Sequence, residues 1–378
     1  MSTSLMLGNR YFVLLAAIAI FCSLGAFSLD AAPRSQSRLA GAHGEPGLLP
    51  KSCRACHRGM AIAVRGEERV CLNCHGAGGD RSRMISGGYL DSNKIRGGSL
   101  QDIGQELRKP YNHPVLTVRG IHSAREELPE DSASTGRHSE CIDCHAPHDL
   151  TRDEPFRGIG GRRVGNFYAP IKREYELCYR CHAESANLPP RSTNKHAEFK
   201  TTNPSYHPVE GEGASAYVIS LKDPYVGRKT APGERSIISC SDCHGNDDPD
   251  GPAGLHGSRF RGLLVRHYEM DDGRPESDYA YALCYGCHDR TSILNDESFP
   301  LHSMHIQGRS GGRDSGTSCF SCHDAHGSTR YPFLIQFNDR VVQPNAAGKL
   351  SFDPQGTSAR RGSCSLRCHG VEHDEKSY

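Results

Sequence analysis

Sixteen cysteines of this chain fall into eight close pairs, and a histidine follows every pair at once. In order the motifs are CRACH (Cys53, Cys56, His57), CLNCH (Cys71, Cys74, His75), CIDCH (Cys141, Cys144, His145) and CYRCH (Cys178, Cys181, His182). Then come CSDCH (Cys240, Cys243, His244), CYGCH (Cys284, Cys287, His288), CFSCH (Cys319, Cys322, His323) and CSLRCH (Cys364, Cys368, His369). A zinc ribbon or a redox dithiol needs only C-x-x-C, and structural disulfides leave the histidines unexplained. Histidine is 21 of 378 residues, so eight chance followers have a probability on the order of 10⁻¹⁰.

C-x-x-C-H is the pattern of c-type haem attachment. Two thiols add to the haem vinyl groups, and the adjacent imidazole takes one axial position on the iron. Eight covalently attached c-type haems are therefore the expected cofactors, with the sixteen cysteines as thioether positions and the eight motif histidines as proximal ligands. The last motif has three residues between its cysteines. Because the vinyl spacing is constant, its extra residue is expected to bulge out.

The remaining composition fits. Only 36% of residues are hydrophobic, there is no Trp, and Gly and Pro number 41 and 22. Such a chain cannot bury enough of its own surface to order itself, so porphyrins are expected to form the core. Each motif is expected on a short helix. Residues 216–220 and 333–337 read as short strands, and 76–104 and 308–316 as loops, because Gly and Ser interrupt any apolar period. The formal net charge of +1 excludes nucleic-acid binding driven by overall charge. A mean hydropathy of −0.59 excludes a polytopic membrane protein.

Tyr11 to Phe27 is strongly apolar and follows the single Arg10. Residues 1–28 read as an export signal, cut after Ser28; the alternative is an uncleaved anchor helix. Phe21 before Cys22 is too large for a lipid-attachment site. Export places the other cysteines in an oxidising compartment, so the expected location is the periplasm, the outer surface or the extracellular space.

An internal repeat runs through the chain. Tyr111-Asn112-His113-Pro114-Val115 is echoed by Tyr206-His207-Pro208-Val209. Each copy leads to C-x-D-C-H and then to Y-x-L-C-Y-x-C-H, at Tyr175–His182 and Tyr281–His288. This reads as four dihaem units in two halves: an N-terminal four-haem half at 29–190 and a C-terminal four-haem half at 191–378. The expected boundary is Leu188-Pro189-Pro190-Arg191-Ser192-Thr193.

At these motifs the chain resembles the multihaem c-type cytochromes with doubled CxxCH motifs, found in metal-reducing bacteria. The second half, from CSDCH through GLHGS, YALCYGCH, HSMH, CHDAHG and CSLRCHG, is similar to the members that polymerise into extracellular filaments. The likeness covers about Cys53 to His373 and departs from the family at CSLRCH. It implies a multihaem cytochrome c fold, mostly irregular with short α-helices and few short strands wrapped round a haem chain. It also implies low-spin haems with two histidine ligands each, stacked in close contact.

Thirteen histidines lie outside the motifs. Position and resemblance together single out His43, His113, His138, His148, His207, His256, His302, His305, His326 and His373 as candidate distal ligands, ten residues for eight places. His148 and His326 follow a motif His by three residues, too close to reach the far side of the same iron, so each is expected to serve a neighbour. His122, His196 and His267 read as surface residues. Met60, Met84, Met270 and Met304 are the thioether alternatives. Arg outnumbers Lys by 35 to 10, which suits two-pronged pairing with haem propionates or reflects codon usage.

The function expected from these observations is an exported octahaem electron carrier and not an enzyme. It would act in extracellular or trans-envelope transfer, with redox-partner cytochromes, a homopolymer or an outer-membrane complex as partners and a metal oxide as one acceptor. The alternatives are a multihaem reductase of nitrogen or sulfur oxyanions, although no C-x-x-C-K occurs, and a subunit of an outer-membrane porin-cytochrome complex.

Overall fold

The structure is a computed structural model. It describes residues 39–57, 66–97, 100–117, 122, 126–133, 136–149, 151, 153–164, 167–214, 218–226, 237–308, 316–356 and 360–378. The export segment, Met60 and most of 308–316 lie outside these residues.

Regular elements are short. The first half carries α1 (Glu67–His75), α2 (Gly78–Ser86), α3 (Ile103–Glu106), β1 (Tyr111–Asn112), α4 (Cys141–Cys144), β2 (Gly160–Val164), β3 (Phe167–Pro170) and α5 (Glu174–His182). After it come α6 (Lys195–Phe199), β4 (Ser205–Tyr206), β5 (Gly257–Ser258), α7 (Arg290–Leu294), α8 (His302–Gln307), α9 (Cys319–Cys322) and β6 (Gly327–Ser328). The chain ends in β7 (Val342–Gln343), β8 (Ser351–Pro354), β9 (Gly362–Cys368) and β10 (Val371–Ser377). The stretch 76–104, expected as loop, holds α2 and a 3-10 turn at Ser92–Lys94. Neither expected strand forms: the described part of 216–220 is turn, and 333–337 is a turn with one bridge, Ile335 to His323.

Local chemistry explains the motif turns. In both C-x-D-C-H motifs the Asp caps its own turn by accepting from the backbone N–H before the first Cys: Asp143 from Glu140 (2.9 Å) and Asp242 from Ser239 (2.7 Å). Glu176 does the same at the start of α5, accepting from the Arg173 N–H at 3.0 Å. These are capping boxes. Gly76 ends α1, because a Cβ there would lie 2.4 Å from the Leu72 carbonyl oxygen.

Two long-range pairings reveal a second repeat. β1 pairs with β5 (Tyr111↔Ser258) and β4 with β6 (Ser205↔Ser328). In each case the strand entering a His-Pro-Val segment meets a His-Gly-Ser segment, His256-Gly257-Ser258 or His326-Gly327-Ser328. Both serines are fully buried. Both glycines are obligatory: a Cβ at Gly257 would lie 1.9 Å from the Glu106 carbonyl oxygen, and at Gly327 2.1 Å from that of Glu198.

The apolar cores are small. One gathers Tyr179, Ala183, Phe199 and Val209 with Ile238 and Cys240 at its edge. The other gathers Ala280, Tyr281 and Ile306 with Tyr285 and Cys319. The first spans the boundary expected at residue 190, and residues 40–378 form one compact unit. The buried Asp247 accepts from Lys109 Nζ at 2.8 Å and pairs with Arg259, which ties the two expected halves together. The two-half division is therefore a sequence repeat and not a structural boundary.

In the C-terminal sheet β9 is central, with β10 on one edge and β7 and β8 in succession on the other. Val342, Phe352 and Leu366 are its buried apolar residues. Among the described residues no helix is long and apolar enough to cross a membrane.

Candidate functional site

Seven of the eight motifs form a helical turn. Motifs two and four lie in α1 and α5 and the third and seventh in α4 and α9; the first, fifth and sixth sit on 3-10 turns. Where the motif His leaves the turn, its N–H donates to the first Cys carbonyl at 2.8–2.9 Å, as at His57, His145, His244, His288 and His323. The turn sets the two cysteines one helical step apart, about 5–6 Å between Cβ atoms. None of the sixteen motif cysteines is paired in a disulfide. Burial pushes Cys74, Cys144 and Cys243 up to about 11 and Cys181, Cys284 and Cys322 up to about 12.

Each of these seven motif histidines faces one histidine from elsewhere. Ring centroids lie 5.9 Å apart for His57–His148, 6.0 Å for His75–His43 and 6.1 Å for His145–His256. They lie 6.4 Å apart for His182–His113 and 6.3 Å for His244–His326, His288–His207 and His323–His302. Two metal–nitrogen bonds of about 2.0 Å, with about 1.1 Å from each donor atom to its ring centre, require about 6.2 Å. The rings are therefore spaced for one iron between each pair.

The orientation of the rings agrees. A metal-ligating imidazole normally anchors one nitrogen and presents the other. Nδ1 of His113 bonds the Leu255 carbonyl at 2.8 Å, that of His207 the Ala325 carbonyl, and that of His244 the Gly262 carbonyl at 2.8 Å. Nδ1 of His323 bonds the Phe333 carbonyl at 3.0 Å, and that of His288 meets Ser220 Oγ at 2.9 Å. Among the described residues, each of these rings leaves Nε2 without a hydrogen bond to the chain. Burial lowers His182, His244, His256, His288 and His302 to about 4. An imidazole kept neutral is in the form that ligates.

Successive motifs lie within electrostatic reach of one another in chain order, and the cysteines involved alternate. At even-to-odd junctions the first cysteines meet: Cys71 with Cys141, Cys178 with Cys240, and Cys284 with Cys319. The motif histidines there also feel one another, His75 with His145, His182 with His244, and His288 with His323. At odd-to-even junctions the second cysteine of one motif faces the next motif: Cys56 toward Cys71 and Cys74, Cys144 toward Cys178 and Cys181, Cys243 toward Cys284 and Cys287. Cys322 likewise faces Cys364 and Cys368.

The eighth motif differs. Cys364 and Cys368 lie on β9, so no helical turn forms there and the expected bulge is replaced by extended chain. Four residues of strand separate Cα atoms by about 13 Å, more than twice the spacing of the other motifs. His369 Nε2 lies 2.6 Å from Asp272 Oδ2 and has no facing imidazole among the described residues.

Three candidate distal histidines are not brought to a motif histidine. His138 packs against His122 at 4.4 Å. His305 anchors Nδ1 on the Leu301 carbonyl at 2.7 Å but has only Phe299 against its ring. His373 lies on β10 opposite Leu366, within electrostatic reach of His305. Of the three expected surface histidines only His122 is buried; His196 and His267 stay at the half-exposed surface. His122 has a side chain only 6% exposed, His196 bonds Glu184 at 2.6 Å, and His267 stacks on Tyr279 at 4.5 Å. The acidic neighbours of His122 are distant in sequence or masked by other patterns, and no local signal marks them.

No protein family matches this chain, and neither does any curated protein or solved structure.

Proposed function

We propose that this chain is an exported octahaem c-type cytochrome that carries electrons and performs no bond chemistry of its own. When bound, each haem supplies a reversible one-electron iron couple. The observation that carries this reading is the facing of seven motif histidines by seven others at 5.9–6.4 Å. Cys53, Cys56, Cys71, Cys74, Cys141, Cys144, Cys178, Cys181, Cys240, Cys243, Cys284, Cys287, Cys319 and Cys322 would hold the first seven groups. Their fourteen paired histidines would supply two ligands to each of seven irons, leaving none open to a substrate. The electrostatic proximity of successive motifs supports a continuous order of these groups along the chain, which suits relay in place of turnover.

The eighth group rests on the sequence motif alone. Thioether attachment at both Cys364 and Cys368 requires β9 to leave its pairing with β8 and β10. His305, already anchored through Nδ1, is the free imidazole best prepared to serve His369 as a partner. The reductase alternative needs an iron with an open position, and the eighth motif is the only place left for one. Redox-partner cytochromes, a second copy of this chain or an outer-membrane complex would deliver and accept electrons, outside the cytoplasm.

Electron paramagnetic resonance of the oxidised protein, with carbon monoxide binding to the reduced form, tests the proposal. At least seven low-spin haems per chain and at most one bound carbon monoxide are expected. Several high-spin haems would overturn a carrier built on paired imidazoles.

A further inference from the structure

A second cluster of ligand-type side chains lies apart from the seven histidine pairs, beside the third motif. His122, Glu130, His138 and Glu140 have side chains 6%, 3%, 8% and 3% exposed. Glu130 Oε1 accepts from His122 Nε2 at 3.0 Å and from His138 Nδ1 at 2.5 Å. His122 Nδ1 meets Asp143 Oδ2 at 2.9 Å, and Glu140 Oε1 accepts the His122 backbone N–H at 3.0 Å.

This arrangement leaves two polar atoms stranded. His138 Nε2 and Glu140 Oε2 are buried without a hydrogen-bond partner. With its proton on Nδ1, toward Glu130, His138 turns the lone pair of Nε2 toward the Glu140 carboxylate, 3.6 Å away. Two acceptors facing each other in a buried place repel, and an unsatisfied buried polar group costs about 1–3 kcal/mol. Charge leads to the same place. Three carboxylates, Glu130, Glu140 and Asp143, gather here around Arg180, which reaches Asp143 at 3.3 Å, and around His122, which meets a carboxylate oxygen at each ring nitrogen and is therefore an imidazolium. A divalent cation would take the place of the His122 proton, in exchange for one of its two carboxylate bonds.

We propose that His122, His138 and Glu140 bind a first-row divalent cation of the zinc or ferrous class, at a site distinct from haem attachment. One donor atom from each lies within 4.8 Å of the others, and small side-chain rotations bring them to the ~3.3 Å that bonds of 2.0–2.2 Å require in a tetrahedron. Two imidazoles and a carboxylate are a donor set for these metals and not for calcium or magnesium. Glu130, holding His138 Nδ1–H, supplies the carboxylate–histidine support usual behind a metal-bound imidazole. A cavity of about 230 Å³, lined by His122, Glu140, Asp143 and Arg180 among others, gives the cation a way in. The cation would pin the segment carrying His122 and His138 to the turn of the third motif.

The test uses the mature full chain, stripped with a chelator and dialysed against zinc. One zinc per chain, with a nitrogen and oxygen shell in X-ray absorption, is expected, and at least a tenfold loss of bound zinc in His138→Gln and in Glu140→Gln. Absence of stoichiometric zinc from the wild-type chain overturns the site whatever the variants do, and so does full retention in both variants. A sulfur shell would put zinc on free cysteine pairs, overturning this site and counting separately against haem attachment.

Discussion

The first seven motifs and the eighth share a sequence pattern and differ in backbone. One residue fewer between the cysteines keeps each of the seven on a helical turn, with both thiols on one side and the histidine released toward a partner ring. With three residues between them, Cys364 and Cys368 share a face in a helix and equally in a strand. The chain takes the strand because β8 and β10 offer β9 pairing on both edges. The comparison shows that the longer cysteine spacing leaves the local geometry to the neighbouring strands, and that an imidazole pair assembles where the motif keeps its helical turn.

The largest expected effect breaks one of the seven pairs. His207→Ala or His302→Ala should convert one low-spin haem to high-spin and add one bound carbon monoxide per chain, read by absorbance. His373→Ala, in the C-terminal sheet, should change neither count. An unchanged spectrum in His207→Ala would remove the distinction between the two regions.

The cradle that positions His113 and His207 comes next. Gly257→Ala and Gly327→Ala each drive a Cβ into a backbone carbonyl and should cost about 2–3 kcal/mol, seen as a lowered denaturant midpoint. Gly370→Ala in the C-terminal turn meets no neighbour within 4 Å but has a φ of +76°, so its cost of about 1 kcal/mol is one of backbone strain alone. Equal losses at all three would mean that the close approach at the cradle is not real.

Acid stability separates the regions further. Desolvation would raise Asp247, but the bonds from Lys109 and Arg259 outweigh it and hold the carboxyl down at about 2. Its folded value lies below its unfolded one, so its contribution is full above about pH 4 and vanishes as pH falls through 2. That contribution is about 2 kcal/mol. Asp247→Asn should be destabilised at pH 7 and should converge on the wild type near pH 2 in urea unfolding. Glu375 on β10 is also lowered, by its bond to Lys349, yet this pair is exposed. Glu375→Gln should change stability too little to resolve. A larger effect at Glu375 than at Asp247 would reverse the ranking of the two regions.

What sequence reading captured was local. The motif cysteines and histidines are adjacent in the chain, so their turns were legible at seven motifs. Seven of the ten candidate distal histidines face a motif histidine, but the partnerships are long-range: His148 crosses back to His57, and His256 reaches His145 from beyond the fifth motif. No spacing rule encodes them. The His-Gly-Ser cradles were missed because a two-residue strand has no period to detect. His122 and His138 were misjudged because their environment is made by carboxylates folded around them. The eighth motif failed where helix and strand give the same facing of residues, so that only sheet partners decide.

The mass of the purified chain under denaturing conditions tests the central claim most directly, because thioether bonds survive unfolding. The account predicts a chain heavier by eight haems, with one fewer in Cys364→Ser/Cys368→Ser and one fewer in Cys141→Ser/Cys144→Ser. A mass equal to that of the bare polypeptide, with sixteen alkylatable thiols, would contradict it.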